Sequence, residues 1–259
     1  MLFSYWYMFF ACIGIATLAM SAGIGGATFF IPFILLVLHV PVKSAIAIGI
    51  FVEIFGFTAG VYNYWRLGKI DFSLAKKTLL FAVIFTVIGV TLNQVIRPSV
   101  VEYVFILALM IFATQLLLNR PSKKEIARRF DGISAAVSSF GGLLLGFISS
   151  GLGEANEYNY FVRLKKSPAV TAGTSVLVVA VCAITATLAQ SYFIMRGSGF
   201  GTIAPYTMLI IYSVLGSLVG AKLGSILSSH VERESFRKFI SVLLYLVAVV
   251  SLVKVLLVT

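Results

Sequence analysis

The stretch Ser149–Lys166, SSGLGEANEYNYFVRLKK, sets Glu154, Asn156, Glu157 and Asn159 directly after an almost uncharged run. Gly151 and Gly153 come first, and glycine adopts backbone conformations that end helices. The spacing therefore predicts a break after Ser149 and a short helix starting at about Glu154. A helix of about 12 residues covers only about 18 Å, against a bilayer hydrocarbon core of about 30 Å. In a membrane, such a piece must begin or end within the bilayer.

The rest of the chain supplies that membrane. Hydrophobic residues make up 60% of the 259 and charged residues 11%, and mean hydropathy is +1.05, the composition of a polytopic α-helical membrane protein. The excess of 20 Lys+Arg over 9 Asp+Glu would suggest nucleic acid in a soluble protein. Here the basic residues lie in short loops between apolar runs, so membrane topology explains them and no nucleic-acid partner is implied. Cys12 and Cys182 lie far apart in apolar runs, which supports neither a disulfide framework nor a cysteine metal site. The first 20 residues lack a basic start and read as a helix, not a signal peptide.

Ten apolar segments are expected, near 4–20, 27–39, 44–64, 73–93, 99–118, 133–149, 155–164, 168–192, 203–225 and 236–258, of which the second and seventh are too short to span. If each reverses the chain, one side receives Arg66, Lys69, Lys76, Lys77, Arg120, Lys123, Lys124, Arg128, Arg129, Arg163, Lys165, Lys166, Lys222, Arg233, Arg237 and Lys238, and the other Lys43, Arg97, Arg196 and Lys254, a division of 16 to 4. Merging each short segment with its predecessor gives 11 to 9, with no bias. The ten-segment reading follows, with the basic side cytoplasmic and both termini outside a cell membrane. Each half then holds five reversals, which inverts the second relative to the first.

The halves also align as sequences. SAGIGGATFFIPFILLVLHVPVKSAIAIG, Ser21–Gly49, matches the stretch from Ser149, with Gly23-Ile24-Gly25 on Gly151-Leu152-Gly153 and Ser44-Ala45 on Thr171-Ala172. The expected organisation is an N-terminal repeat over 1–118, a cytoplasmic linker over 119–132 and an inverted C-terminal repeat over 133–259. Inverted repeats with interrupted helices mark transporters, their sites lying where the breaks meet. Exposed N–H groups and a partial positive charge at two such helix starts suit a small anion. Glycines that merely let helices pack are the alternative.

At this point the sequence resembles the sulfite exporter TauE/SafE family of bacterial and archaeal membrane proteins. Both halves carry a G-x-G element, a short helix and a proline before a small-residue helix. GLGEANEYNYFVRLKKSPAVTAGTSVLVVAVCAITA, Gly151–Ala186, looks like the branch with G-x-G-E-x-N and a later A-x-x-T-S. The resemblance implies an all-α tandem inverted repeat, five helical segments per half, that exports sulfite or short organosulfonates such as sulfoacetate. It implies functional roles for Gly151, Gly153, Glu154, Asn156, Thr174 and Ser175. The matching first-half element is Gly23, Gly25, Gly26 and Ala27, with Ala27 where many relatives carry a third glycine.

The residues themselves support an anion and not its sulfur. Asn156, Asn159 or Tyr160, and Arg163 repeat at helical spacing, with Glu154 and Glu157 on an adjacent face. Arg163 sits in a basic cluster with Lys165 and Lys166 and is expected as a cytoplasmic anchor. Thr174 and Ser175 could donate hydroxyls towards the break or simply join helices. Glu154 either carries a coupling proton or caps a helix start. Glu53, on one face with Gly49, Gly56 and Gly60, is either a proton-coupling acid or a neutral packing residue. Gly216, Gly220 and Gly224 form a packing stripe. No ATP-binding loop, dinucleotide fingerprint, metal motif or nucleophile triad is present, so a non-enzymatic, cofactor-free secondary transporter is expected. A channel-like anion pore and a non-transporting scaffold are the alternatives.

Overall fold

The computed structural model describes residues 5–118, 129–196, 204–228 and 233–258. These form ten α-helices and no strand: α1 (Tyr7–Ala22), α2 (Ala27–Val37), α3 (Val42–Arg66), α4 (Phe72–Val95), α5 (Pro98–Leu118), α6 (Gly132–Ile148), α7 (Leu152–Asn156), α8 (Pro168–Met195), α9 (Thr207–Leu227) and α10 (Arg233–Val258). A π-helical segment, Glu157–Arg163, continues α7. Each expected segment has its helix. Most of the expected linker, with Lys123, Lys124 and Arg128, lies outside the described residues.

Local chemistry explains the boundaries. Prolines open α5 and α8, where a missing N–H costs nothing because first-turn N–H groups have no helical partner. Asp71 and Asp131 precede α4 and α6, and their carboxylates accept from the N–H groups of Leu74 (3.0 Å) and Ser134 (2.8 Å). Five helices, α3, α4, α5, α8 and α9, are long and apolar enough to cross a membrane by length and composition. Large apolar side chains such as Leu80, Leu107, Leu188 and Leu246 point outward, as a hydrocarbon surround requires.

The helices pair in a regular way: α1 packs on α9, α4 on α6, α3 on α8 and α5 on α10, with further contacts between α3 and α9 and between α4 and α8. Within the spanning windows α3 and α8 are each 67% buried, against 33–44% for α4, α5 and α9, so they form the centre. The stripe Gly216, Gly220 and Gly224 packs on the backbone carbonyls of Phe9, Ile13 and Thr17, and Gly142 and Gly146 pack likewise on Ala82 and Thr86. A side chain at these positions would meet backbone, so glycine is what lets these helices approach so closely.

Candidate functional site

The two breaks are built differently from their aligned glycines. In the first half α1 ends at Gly23, in left-handed backbone (φ 73°), and α2 starts at Ala27 after Gly26. In the second half the left-handed residue ending α6 is Ser149 (φ 58°), and Gly151 (φ 103°) follows just before α7. The break is therefore Ser149–Gly151. The short helix begins at Leu152, two residues earlier than the glycine pattern predicts, and Gly153 lies inside it. Gly153 is required by what it touches: a Cβ there would sit 2.7 Å from both Gly25 N and Ile24 Cα. The two breaks pack backbone against backbone.

Two buried glutamates meet the starts of the short helices. Glu154, the third residue of α7, accepts from Gly151 N–H through Oε2 (3.1 Å) and from the Thr28 hydroxyl through Oε1 (2.7 Å). Thr28 also shares a hydrogen bond with Ser150 Oγ (2.7 Å), tying α2 to the second break. Glu53 reaches across from α3, and its Oε1 accepts from Ala27 N–H at 2.9 Å. Both acids are over 95% buried, with exposures of 4% and 3%. Each supplies an acceptor oxygen to a helix start whose N–H groups would otherwise go unpaired.

The structure divides the other expected residues. Ser175 Oγ donates to Gly23 O at 2.8 Å and lies 3.4 Å from Asn156 Nδ2, so both belong to the junction. Thr174 faces elsewhere and accepts from Asp71 N–H at the start of α4 (3.0 Å). On a helix, neighbouring residues point about 100° apart and cannot both face the break.

Arg163 is not a surface anchor but 8% exposed. It pairs with Asp131 at 2.9 Å and donates to Ser134 Oγ and Asn159 Oδ1. Tyr160 donates its hydroxyl hydrogen to Thr78 Oγ1 at 2.7 Å, also in the interior. The polar face read from Asn156, Asn159, Tyr160 and Arg163 is thus buried throughout, and only Asn156 reaches the junction. Sequence reasoning missed Thr28 and Ser150. Their signal was a hydroxyl within two residues of the glycines, Thr28 after Gly26 and Ser150 before Gly151.

A model of the family described as sulfite exporter TauE/SafE matches residues 8–251. The chain belongs to that family. A "Probable membrane transporter protein YdhB" of Bacillus subtilis (strain 168) is 22% identical over 226 residues, covering 82% of this chain and 87% of the relative. No solved structure matches. Membership and the apolar helices make this TauE/SafE protein a multi-pass membrane protein of a transporter family.

Proposed function

We propose that the protein is a secondary transporter that moves a small oxyanion, sulfite or a short organosulfonate such as sulfoacetate, outward across the cell membrane by alternating access. The observation that carries this reading is the junction: the starts of α2 and α7 lie at one buried contact, and carboxylate oxygens already meet their N–H groups. A site that holds a carboxylate by helix-start N–H groups offers the donors an oxyanion needs. Substrate oxygens would take the donors at the α2 start when Glu53 gives way, with Ser175 and Asn156 beside them. The sulfur comes from the family alone.

The pairing of helices supports an inverted repeat. Exchanging α1–α5 for α6–α10 turns the α1–α9 pair into α6–α4 and the α3–α9 pair into α8–α4, and leaves α3–α8 and α5–α10 unchanged. Two halves so related can rock about the junction and expose it to either side. The basic ends, including Arg163 and Lys166, are assigned to the cytoplasm and both termini to the outside.

The test is flux of sulfite, sulfoacetate, sulfate and chloride through purified protein in proteoliposomes. Saturable, sulfur-selective flux with counterflow exchange is expected. Large unsaturable currents would replace the carrier with a pore, and folded protein without selective flux would withdraw the sulfur assignment.

A further inference from the structure

The two junction acids are not equally satisfied. Glu154 has both oxygens engaged, by the Thr28 hydroxyl and by Gly151 N–H. Glu53 has Oε1 engaged by Ala27 N–H, while its Oε2 is buried without a partner. Glu53 also lines a cavity of about 30 Å³ with Cys12, Ala16, Met20, Phe57 and Ser217 among its walls. That volume admits one water, since a water needs roughly 10–15 Å³. The walls, however, offer the acid little: the Ser217 hydroxyl donates to Val214 O at 2.8 Å and has no hydrogen left for it. A bare carboxylate oxygen in such surroundings is far more costly than a neutral O–H. The acids also hold neighbouring residues of one turn, Ala27 and Thr28, where two negative charges would repel.

We propose that Glu53 is the proton carrier of the transporter, neutral with its proton on Oε2 while Oε1 caps α2, and that Glu154 remains an ionised, fixed cap of α7. The assignment of a transport role rests on the function proposed above. Among the described residues, the titratable groups beside Glu53 are Cys12 from α1, which lines the same cavity, and Glu154 from α7. The facing residues of α2 and α9 at this cavity, Gly26, Ala27, Phe30 and Ser217, carry no charge. When Glu53 ionises it releases one proton, and its carboxylate then holds the α2 start against any substrate anion. Binding of the anion there and of the proton on Glu53 accordingly go together.

Infrared spectra of the purified protein test the protonation without any flux. At neutral pH the wild type is expected to show the C=O stretch of a neutral carboxylic acid, lost in Glu53→Gln and kept in Glu154→Gln. A band that survives Glu53→Gln, or is lost in Glu154→Gln alone, overturns the assignment. So does a wild type with no band, which decides the matter even if the Glu53 variant does not fold. In proteoliposomes, an imposed pH gradient is expected to change the initial sulfite flux of the wild type and not that of Glu53→Gln. A wild-type sulfite flux indifferent to the gradient overturns coupling through Glu53. Absence of any sulfite flux overturns the substrate reading and its coupling to Glu53, while the infrared result still decides which acid holds the proton.

Discussion

The two breaks do the same job with different wiring. In the second half the acid that meets the helix start is local: Glu154 lies in α7, three residues after Gly151, whose N–H it accepts. In the first half α2 has no acid of its own, and Glu53 arrives from α3, 26 residues after Ala27. The difference teaches that a buried helix start needs an acceptor and that the fold, not the local sequence, decides where it comes from. It also ties α2 to α3 in a way that α7 is not tied to α8. The first break therefore depends on tertiary packing, whereas the second carries its own cap.

The contact between the breaks is the sharpest place to disturb them together. Gly153→Ala sets a methyl group 2.7 Å from Gly25 N and Ile24 Cα. Backbone cannot move aside as a flexible side chain can, so a loss of about 1–3 kcal/mol is expected, along with loss of sulfite flux. Gly14→Ala is the control, because its Cβ would meet nothing within 4 Å, and a gain of up to about 1 kcal/mol is expected from helix propensity. Thermal unfolding in detergent reads both. Equal stability of the two variants would mean that the breaks do not pack as described.

Substituting each acid by glutamine separates local from imported capping. Glu154→Gln replaces one of two accepting oxygens by an NH2 group: facing Gly151 N–H it sets donor against donor, and facing Thr28 it makes that hydroxyl accept and pass its own hydrogen to Ser150 Oγ, with the carboxyl's second acceptor lost in either case. A cost of about 1–3 kcal/mol is expected. Glu53→Gln keeps one oxygen for Ala27 N–H and turns the NH2 towards the oxygen position that has no partner, so a change within about 0.5 kcal/mol is expected. A reversed order in thermal unfolding would show that Glu53, not Glu154, is the tightly held cap.

This contrast also explains what could be read in the chain. Helix positions were legible because apolar runs, prolines at 98 and 168, and basic ends mark them one by one. The glycine breaks were legible for the same reason, though only to within two residues: Ser149 adopts the left-handed backbone expected of a glycine (φ 58°), which sequence pattern does not reveal. A cap was one of the two roles that the neighbours of Glu154 already allowed it. Glu53 as the cap of α2, Thr28 as its link to Glu154, and Arg163 turned inward to Asp131 all require the helices to be packed. Thr174 stayed open for a related reason, since the A-x-x-T-S pattern cannot say which of two adjacent hydroxyls faces the break and which joins helices.

The same contrast of built and loose pairing recurs at the basic end. Arg163 donates through Nη2 to both Asp131 carboxylate oxygens and through Nη1 to Ser134 Oγ and Asn159 Oδ1. Ser134 N–H, and Arg163 with it, hold the Asp131 carboxyl down to about 2. A carboxyl lowered from its unfolded value of about 3.9 contributes stability above that pH and loses it as pH falls towards 2. Thermal stability should therefore decline over that acid window, and Asp131→Asn should remove part of the decline. An unchanged acid profile in Asp131→Asn would leave Arg163 without the partner assigned to it.

The second pair should matter least. Lys166 meets Asp71 through one contact of 2.8 Å, with side chains 39% and 25% exposed. Burial raises the Asp71 carboxyl, yet the Lys166 ammonium and Leu74 N–H outweigh it and leave the group below its ordinary range. Water screens such a pair, and a long lysine loses entropy on being fixed, so Lys166→Ala should cost no more than about 1 kcal/mol. Asp71 would still cap α4 through Leu74 and still present its N–H to Thr174, because neither bond involves the lysine. The expected result is thermal unfolding close to that of the wild type at neutral pH, with the small difference shrinking as salt is added. A large, salt-insensitive loss would show instead that Lys166 belongs to the same buried lock as Arg163, and the C-terminal end of the π-helical segment would then be held by two ion pairs rather than one.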